Sequence, residues 1–384
     1  MLKQSYTNSV PNLSKTSAPS AHVSPGMPPL QASDKVFSMF EFWPLWLMYL
    51  PVIFQWLALS IYYRSLSLPL LVNPTTPSGG MVGYSKSSLL EQAAPVSHQS
   101  ILNWFTHTVT DESVTTQLDQ IIEQIADHHM TLPIVIKPDM GCRGIGIKLA
   151  SNEPEVRDCI SHYPVGSVIM FQQLADWEPE AGIFYVRYPN ESKGRIISLA
   201  LKYTPYVVGD GESTLQELIE RDSRASQVMH LYKQRHQNKL KQVIAKGEPF
   251  RLIFAASHSR GAIFRNGSDY ISNALSTKID EIMSAFPEFY YGRLDVKFSN
   301  VENLMLGKDI AIIEVNGASS ESLHIWDRDT SLLQAWTALF QQYSILFKIG
   351  AMNRARGYKP PGILSLWKAW RSEQALMKFY PSTD

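Results

Sequence analysis

The chain has 384 residues, enough for two or three lobes with cores of their own. Lys+Arg and Asp+Glu both number 35, so no global field points to nucleic acid or an acidic polymer. The two cysteines, Cys142 and Cys159, are too few for a disulfide framework and fit a reducing cytosol, and with no CxxC or Cys/His cluster no structural zinc is expected.

Residues 1–36 are rich in Ser, Pro, Thr and Asn and lack the apolar core of a signal peptide. So little apolar surface does not offset the ordering entropy, and a disordered tail is expected. Residues 37–96 hold an apolar segment and a Gly/Pro-rich loop. No charge interrupts 42–63, a length that suits a bilayer span, and aromatics gather at both ends (Trp43, Trp46; Tyr62, Tyr63). Pro51 and Gln55 stand against spanning. Two readings stay open: a membrane-associated helix, in one leaflet or across it, and a buried helix broken near Pro51 that packs on the lobes. In the loop 68–86, Ser85 or Ser87 could cap a helix opening at Ser88. Val114, Leu118, Ile121, Ile122 and Ile125 keep helical spacing.

From Pro133 the texture changes to short apolar runs between turns. Strands are predicted at 134–137, 168–174, 183–188, 196–203, 251–256, 293–298 and 310–315. Thr214 and Glu217 have capping-box spacing ahead of a helix. Strands and helices that do not strictly alternate argue for an α+β fold. From Leu332 the chain reads as helical, then basic and aromatic (Lys348, Arg354, Arg356, Lys359, Lys368, Arg371).

The sharpest local feature runs from Pro133 to Lys148. A β-branched strand ends in Lys137 and is followed by Gly141, Gly144 and Gly146. Glycines there let backbone N–H groups turn inward as an anion nest, and Lys137 would neutralise phosphate. Alone the pattern equally describes a Gly-rich hairpin turn, and it is not a Walker motif, since no GK[ST] follows. Cys142 in this loop is a candidate reactive thiol by position, beside Arg143.

Further on, Gly292-Arg-Leu-Asp-Val-Lys-Phe alternates, placing Arg293, Asp295 and Lys297 on one face. Ile310-Ala-Ile-Ile-Glu-Val-Asn-Gly alternates too, so Ile312, Glu314 and Asn316 are expected to share a face. If those faces meet, Asp295, Glu314 and Asn316 offer three hard oxygen ligands suited to Mg²⁺. The bland alternative is two amphipathic strands with solvated polar faces.

Taken in order, these features resemble the ATP-grasp superfamily, in the flavour of D-alanine–D-alanine ligase and the ligase half of cyanophycin synthetase. The phrase Val207-Val-Gly-Asp-Gly-Glu-Ser-Thr-Leu-Gln-Glu-Leu-Ile is similar to the latter. The resemblance implies two α+β lobes clasping ATP, at 97–175 and 176–335, with the metal site in the second and a helical extension at 336–384. It makes Lys137, with Lys86 as a looser match, the phosphate lysines above the glycine loop. Gln172, Gln173 and Leu174 match the hinge whose backbone meets adenine, and Glu180 the acid on the ribose. Asp295, Glu314 and Asn316 match the metal triad, for Mg²⁺ with Mn²⁺ as a substitute. Arg293 resembles the arginine that steadies the tetrahedral intermediate. Candidate substrate anchors are Arg187, Lys202, Arg260 and Arg265.

The implied chemistry is a ligase that activates a carboxylate as an acyl phosphate and joins it to an amine, with no nucleic acid partner. The alternatives are an ATP-grasp kinase acting on a hydroxyl and a membrane-docked, non-catalytic ATP-binding module. The expected place is the cytoplasm, at the inner membrane face if 42–63 docks there, near an amphiphilic substrate. Family ligases carry a Rossmann-like domain ahead of the grasp lobes; little room for one precedes Ser100, so substrate identity is not transferable.

Overall fold

Residues 22–31, 35–141, 144–257 and 260–383 are described by the structure, a computed structural model. Helix α1 (Leu45–Tyr62) runs unbroken through Pro51. The ring removes one backbone donor, and in the turn it disturbs the Trp336 indole donates to the Met48 carbonyl at 3.1 Å. The break expected there does not occur, and neither does full burial. Only Met48 and Val52 are buried, while Trp46, Phe54, Ile61 and Tyr62 face outward. Among the described residues α1 is the one helix long and apolar enough to cross a membrane.

The chain then turns through α2 (Lys86–Glu91), whose N-cap is Ser85, accepting the Ser88 N–H at 2.9 Å. Next come β1 (Trp104–Thr108), α3 (Val114–Asp127), β2 (Ile134–Pro138), β3 (Lys148–Ala150), α4 (Glu153–Ser161) and β4 (Val168–Gln173). The four strands form one antiparallel sheet in the order β1-β4-β2-β3. The apolar stripe read from the spacing of α3 buries Leu118, Ile121 and Ile125 against Ile134, Ile136 and Phe171, with Val156 and Ile160 of α4 closing the layer. Each fully buried side chain of that kind contributes about 1.5–3 kcal/mol.

The larger lobe follows with β5 (Glu180–Val186), β6 (Arg195–Tyr203), β7 (Tyr206–Val208), α5 (Leu215–Arg221), β8 (Pro249–Arg251), β9 (Ile263–Asn266), α6 (Asn273–Ser284), β10 (Tyr291–Phe298) and β11 (Ile310–Asn316). Its main sheet is antiparallel in the order β11-β10-β5-β6-β9. One face carries α6, through Leu275, Ile279 and Met283, against Leu294, Val296 and Phe298. Thr214 and Glu217 form the expected capping box on α5. Helices α7 (Leu332–Ala355) and α8 (Ile363–Met377) end the described chain, and α1 packs on α7, with Gln55 Nε2 donating to Phe340 O at 2.8 Å. The architecture is a two-lobed α+β arrangement, one antiparallel sheet to each lobe, with an apolar helix before it and helices after it.

Three details differ from expectation. The strand at 251–256 is only β8, because Arg251 folds its side chain onto the carbonyls of Ile253 and Phe254. Four short strands, β1, β3, β7 and β9, stand outside the predicted set and are held in place by their pairing. Residues 22–31 are docked, not a free tail: Met27 is buried, Tyr203 Oη donates to Pro28 O at 3.0 Å, and Arg328 Nη2 to Gln31 O at 2.7 Å. The remainder of the expected tail, 1–21 and 32–34, and Cys142, Arg143 and Ser259 lie outside the described residues.

Candidate active site

The pairing register assembles a polar row across four strands. Asp295 stands opposite Glu314 and Gly182, Arg293 opposite Asn316, Lys297 opposite Glu180, and Glu180 opposite Lys202. Residues directly opposite present their side chains to the same face. Leu294, Val296 and Phe298 point the other way, into the core. Ile312 does not share the face of Glu314 and Asn316, as simple alternation would have it. The register shifts between Asp295 and Val296, leaving Ile313 without a partner in the ladder. This bulge reverses the phase of β11, so Ile312 and Val315 both face the core while Glu314 and Asn316 face the row.

Asp295 is the centre of that row. Arg293 grips it in a two-pronged pair, Nε to Oδ1 at 2.8 Å and Nη2 to Oδ2 at 3.1 Å. Lys202 Nζ lies 3.0 Å from Oδ1, and Asn316 Nδ2 donates to Oδ2 at 3.3 Å. Burial opposes ionisation, yet Arg293 and Lys202 outweigh it and hold the carboxyl at about 2. A carboxylate offers about four lone-pair directions, and here each takes a donor. Glu314 differs: its side chain is 28% exposed and the nearest cation, Lys86 Nζ, is 3.8 Å away. The Asn316 amide oxygen has one long contact, from the Tyr84 hydroxyl at 3.5 Å. Glu314 and Asn316 therefore fit a hard cation, and Asp295, as held here, does not. Among the described residues no group of three or more His, Cys, Asp or Glu is placed to hold a metal.

The smaller lobe brings its lysines to this row. The Ile312 N–H donates to Ser100 O at 2.6 Å, and Ile101 bridges Ile312, so the lead-in to β1 is stitched to β11. Lys137, buried at the end of β2, donates from Nζ to Gln172 Oε1 at 2.8 Å and to the Ile313 carbonyl at 2.9 Å. Burial brings its ammonium down to about 8, against the opposing pull of Glu314. Lys86 is placed by Asp139, whose carboxylate accepts the Ser87 N–H at 2.8 Å and whose carbonyl accepts that of Lys86 at 3.0 Å. Lys86 Nζ donates to Gly141 O. Gly141, Gly144 and Gly146 all have positive φ, which only glycine adopts without strain.

Other expected residues fall elsewhere. Gln172 and Gln173 pair within the sheet, Gln172 with both Trp104 and Val135, and the Gln173 N–H donates to Asn103 O at 2.9 Å; their backbone is not offered to a base, and Leu174 is the first residue past the ladder. Glu180 is buried with an oxygen on each of two lysines, Lys202 at 2.8 Å and Lys297 at 3.0 Å, so a ribose hydroxyl would have to displace one of them. Arg187 lies beyond the far end of β5 over the Tyr290 ring, about 16 Å along the strand from Gly182. Arg265 lies opposite Leu201, on the sheet face away from Lys202, and is held by Asp327. Lys202 is committed to the ion pairs above. Arg260 sits against the glycine loop. Sequence reading missed Tyr84, half-buried with its hydroxyl turned to the Asn316 amide oxygen, and Asp139; the Lys-Pro-Asp triplet was the available signal for the second.

No family model matches the chain, and no curated protein matches it in sequence. Solved structures similar to it include a bifunctional glutathione synthetase from Pasteurella multocida, at 14% identity and a TM-score of 0.33, covering 67% of this chain and 35% of that one. A D-alanine–D-alanine ligase from Coxiella burnetii is 8% identical at 0.38, covering 77% and 62%; one from Bacillus anthracis is 12% identical at 0.39, covering 74% and 71%. This chain thus spans about a third of the first structure and under two thirds of the second. At such scores the fold rests on its own two sheets, and the chemistry on the residues they bring together.

Proposed function

We propose that the protein is an ATP- and Mg²⁺-dependent ligase that activates a substrate carboxylate as an acyl phosphate and joins it to an amine. One observation carries the reading: Lys86 Nζ lies 3.8 Å from Glu314 and Lys137 Nζ donates to the neighbouring Ile313 carbonyl, so two lysines from before and within the smaller lobe stand at the strand that carries Glu314 and Asn316, with Arg293 opposite Asn316. Two of the three Lys137 protons are taken by Gln172 and Ile313, which leaves the third for an incoming phosphate oxygen. Lys86 offers a second cation from the same side. Glu314 and Asn316 would hold the metal, which supplies charge neutralisation to the transferred phosphoryl group. Arg293, kept rigid by Asp295 and by the Glu321 carbonyl at 3.3 Å, is pre-organised to stabilise an oxyanion when the amine attacks. No nucleophilic side chain is needed, because positioning and charge do the chemistry.

Hydroxylamine trapping tests this reading. A hydroxamate that forms only with ATP and a carboxylic acid supports a ligase, transfer of phosphate to a hydroxyl without hydroxamate supports a kinase, and nucleotide binding with neither supports the non-catalytic module. The outward apolar face of α1 supports a place at the inner membrane face, inserted in one leaflet.

A further inference from the structure

Helix α8 and the residues after it cross from the larger lobe to the glycine loop, touching the candidate nucleotide site at three points. The Gly83 N–H, three residues before Lys86, donates to Glu373 Oε2 at 2.8 Å, and Glu373 is the buried residue of a helix otherwise poorly covered. The Tyr380 hydroxyl donates to Met140 O at 2.9 Å, with its ring 5.9 Å from that of Tyr163. Thr383 is buried within the loop itself. Its hydroxyl accepts the Gly146 N–H at 2.9 Å and Arg260 Nη2 at 2.9 Å, and donates to Gly144 O at 2.7 Å.

Two donors from different elements converge on one oxygen, one of them a guanidinium. Among the described residues the charge acting on Arg260 is another cation, Arg235, with no carboxylate beside it, and the buried Nε of Arg260 has no hydrogen-bond partner. A half-buried guanidinium beside an inward-turned amide suits an anion better than a neutral hydroxyl, since charge-assisted hydrogen bonds are about twice as strong. We infer that the cradle of Gly144, Gly146 and Arg260 is a phosphoryl-oxygen subsite, and that the segment 379–383 is a strap whose Thr383 hydroxyl fills it until nucleotide displaces it. The inference rests on the nucleotide reading above and adds the occupant. The strap is held for release: α8 buries Glu373 while Ile363, Leu364, Trp367 and Trp370 stay exposed, the marks of an element of low local stability. Nucleotide affinity is then reduced by the fraction of molecules with the strap in place.

The test is calorimetric titration of the full chain with ATP and Mg²⁺, comparing the wild type, T383S, and Y380A combined with T383A. The strap predicts that the double variant binds about tenfold tighter or more, while T383S, which keeps the hydroxyl, matches the wild type. In the wild type, saturating ATP should also raise amide hydrogen exchange across 379–383. Equal affinity in all three proteins overturns the strap and leaves the nucleotide site standing. Weaker binding by the double variant overturns it too, by making the segment part of the site. Binding by the wild type without a change in exchange does the same, independently of any variant. Absence of binding in every protein overturns both this inference and the reading it rests on.

Discussion

Lys137 of the smaller lobe donates its ammonium to the carbonyl of Ile313, the bulged residue of β11, at 2.9 Å. The bulge has a double effect. It turns Glu314 and Asn316 out of the core, and it frees the carbonyl that holds Lys137 beside them. A regular strand in place of β11 would have paired that carbonyl and put Glu314 on the core face.

Nucleotide binding should weaken as pH rises through about 8, because burial lowers the Lys137 ammonium to that range and only its charged form attracts phosphate. Lys137→Arg, which does not deprotonate there, should move the fall to higher pH, whereas Lys137→Met should lose about tenfold or more in affinity (about 1.4 kcal/mol) at pH 7. Equilibrium titration with ATP from pH 6.5 to 9.5 checks both.

Asp295→Ala should destabilise the fold by about 3–5 kcal/mol, since Arg293 and Lys202 would be left buried without their partner. Urea denaturation without metal measures it. The sign with pH follows from the same pairs. The folded carboxyl, at about 2, lies below its ordinary 3.8, so its stabilising contribution is present above about 4 and is lost as pH falls towards 2.

Glu314→Gln should behave in the opposite way. Its side chain is partly exposed and loosely paired, so stability should change by about 0.5 kcal/mol or less. Mn²⁺ affinity in the presence of nucleotide, followed by electron paramagnetic resonance, should fall on the order of tenfold or more. Equal Mn²⁺ affinity in the variant would remove Glu314 from the metal site.

The protein should sediment with anionic phospholipid vesicles through the outward face of α1. Replacing Trp46, Phe54 and Ile61 together by Ser should abolish this without unfolding the chain, because none of the three is buried. Retention on vesicles by the triple variant would assign the contact to another surface.

Much of this was legible in the residues because local pattern and tertiary role coincide. The alternation of β10 placed Arg293, Asp295 and Lys297 on one face, the spacing of α3 marked its buried stripe, and Thr214 with Glu217 announced its capping box. Phase, partner and occupancy were settled by packing alone. Alternation extrapolates a fixed period of two, so it put Ile312 beside Glu314, and only pairing with β10 reveals the bulge that separates them. Spacing also cannot show that Lys202 and Lys297 neutralise Glu180, or that Lys202 and Arg293 saturate Asp295, since those partners come together from strands far apart in the chain. The chain by itself determined which chemical groups were at hand; the tertiary structure decided which of them remain available, because a charge removed from water must first be satisfied by its neighbours.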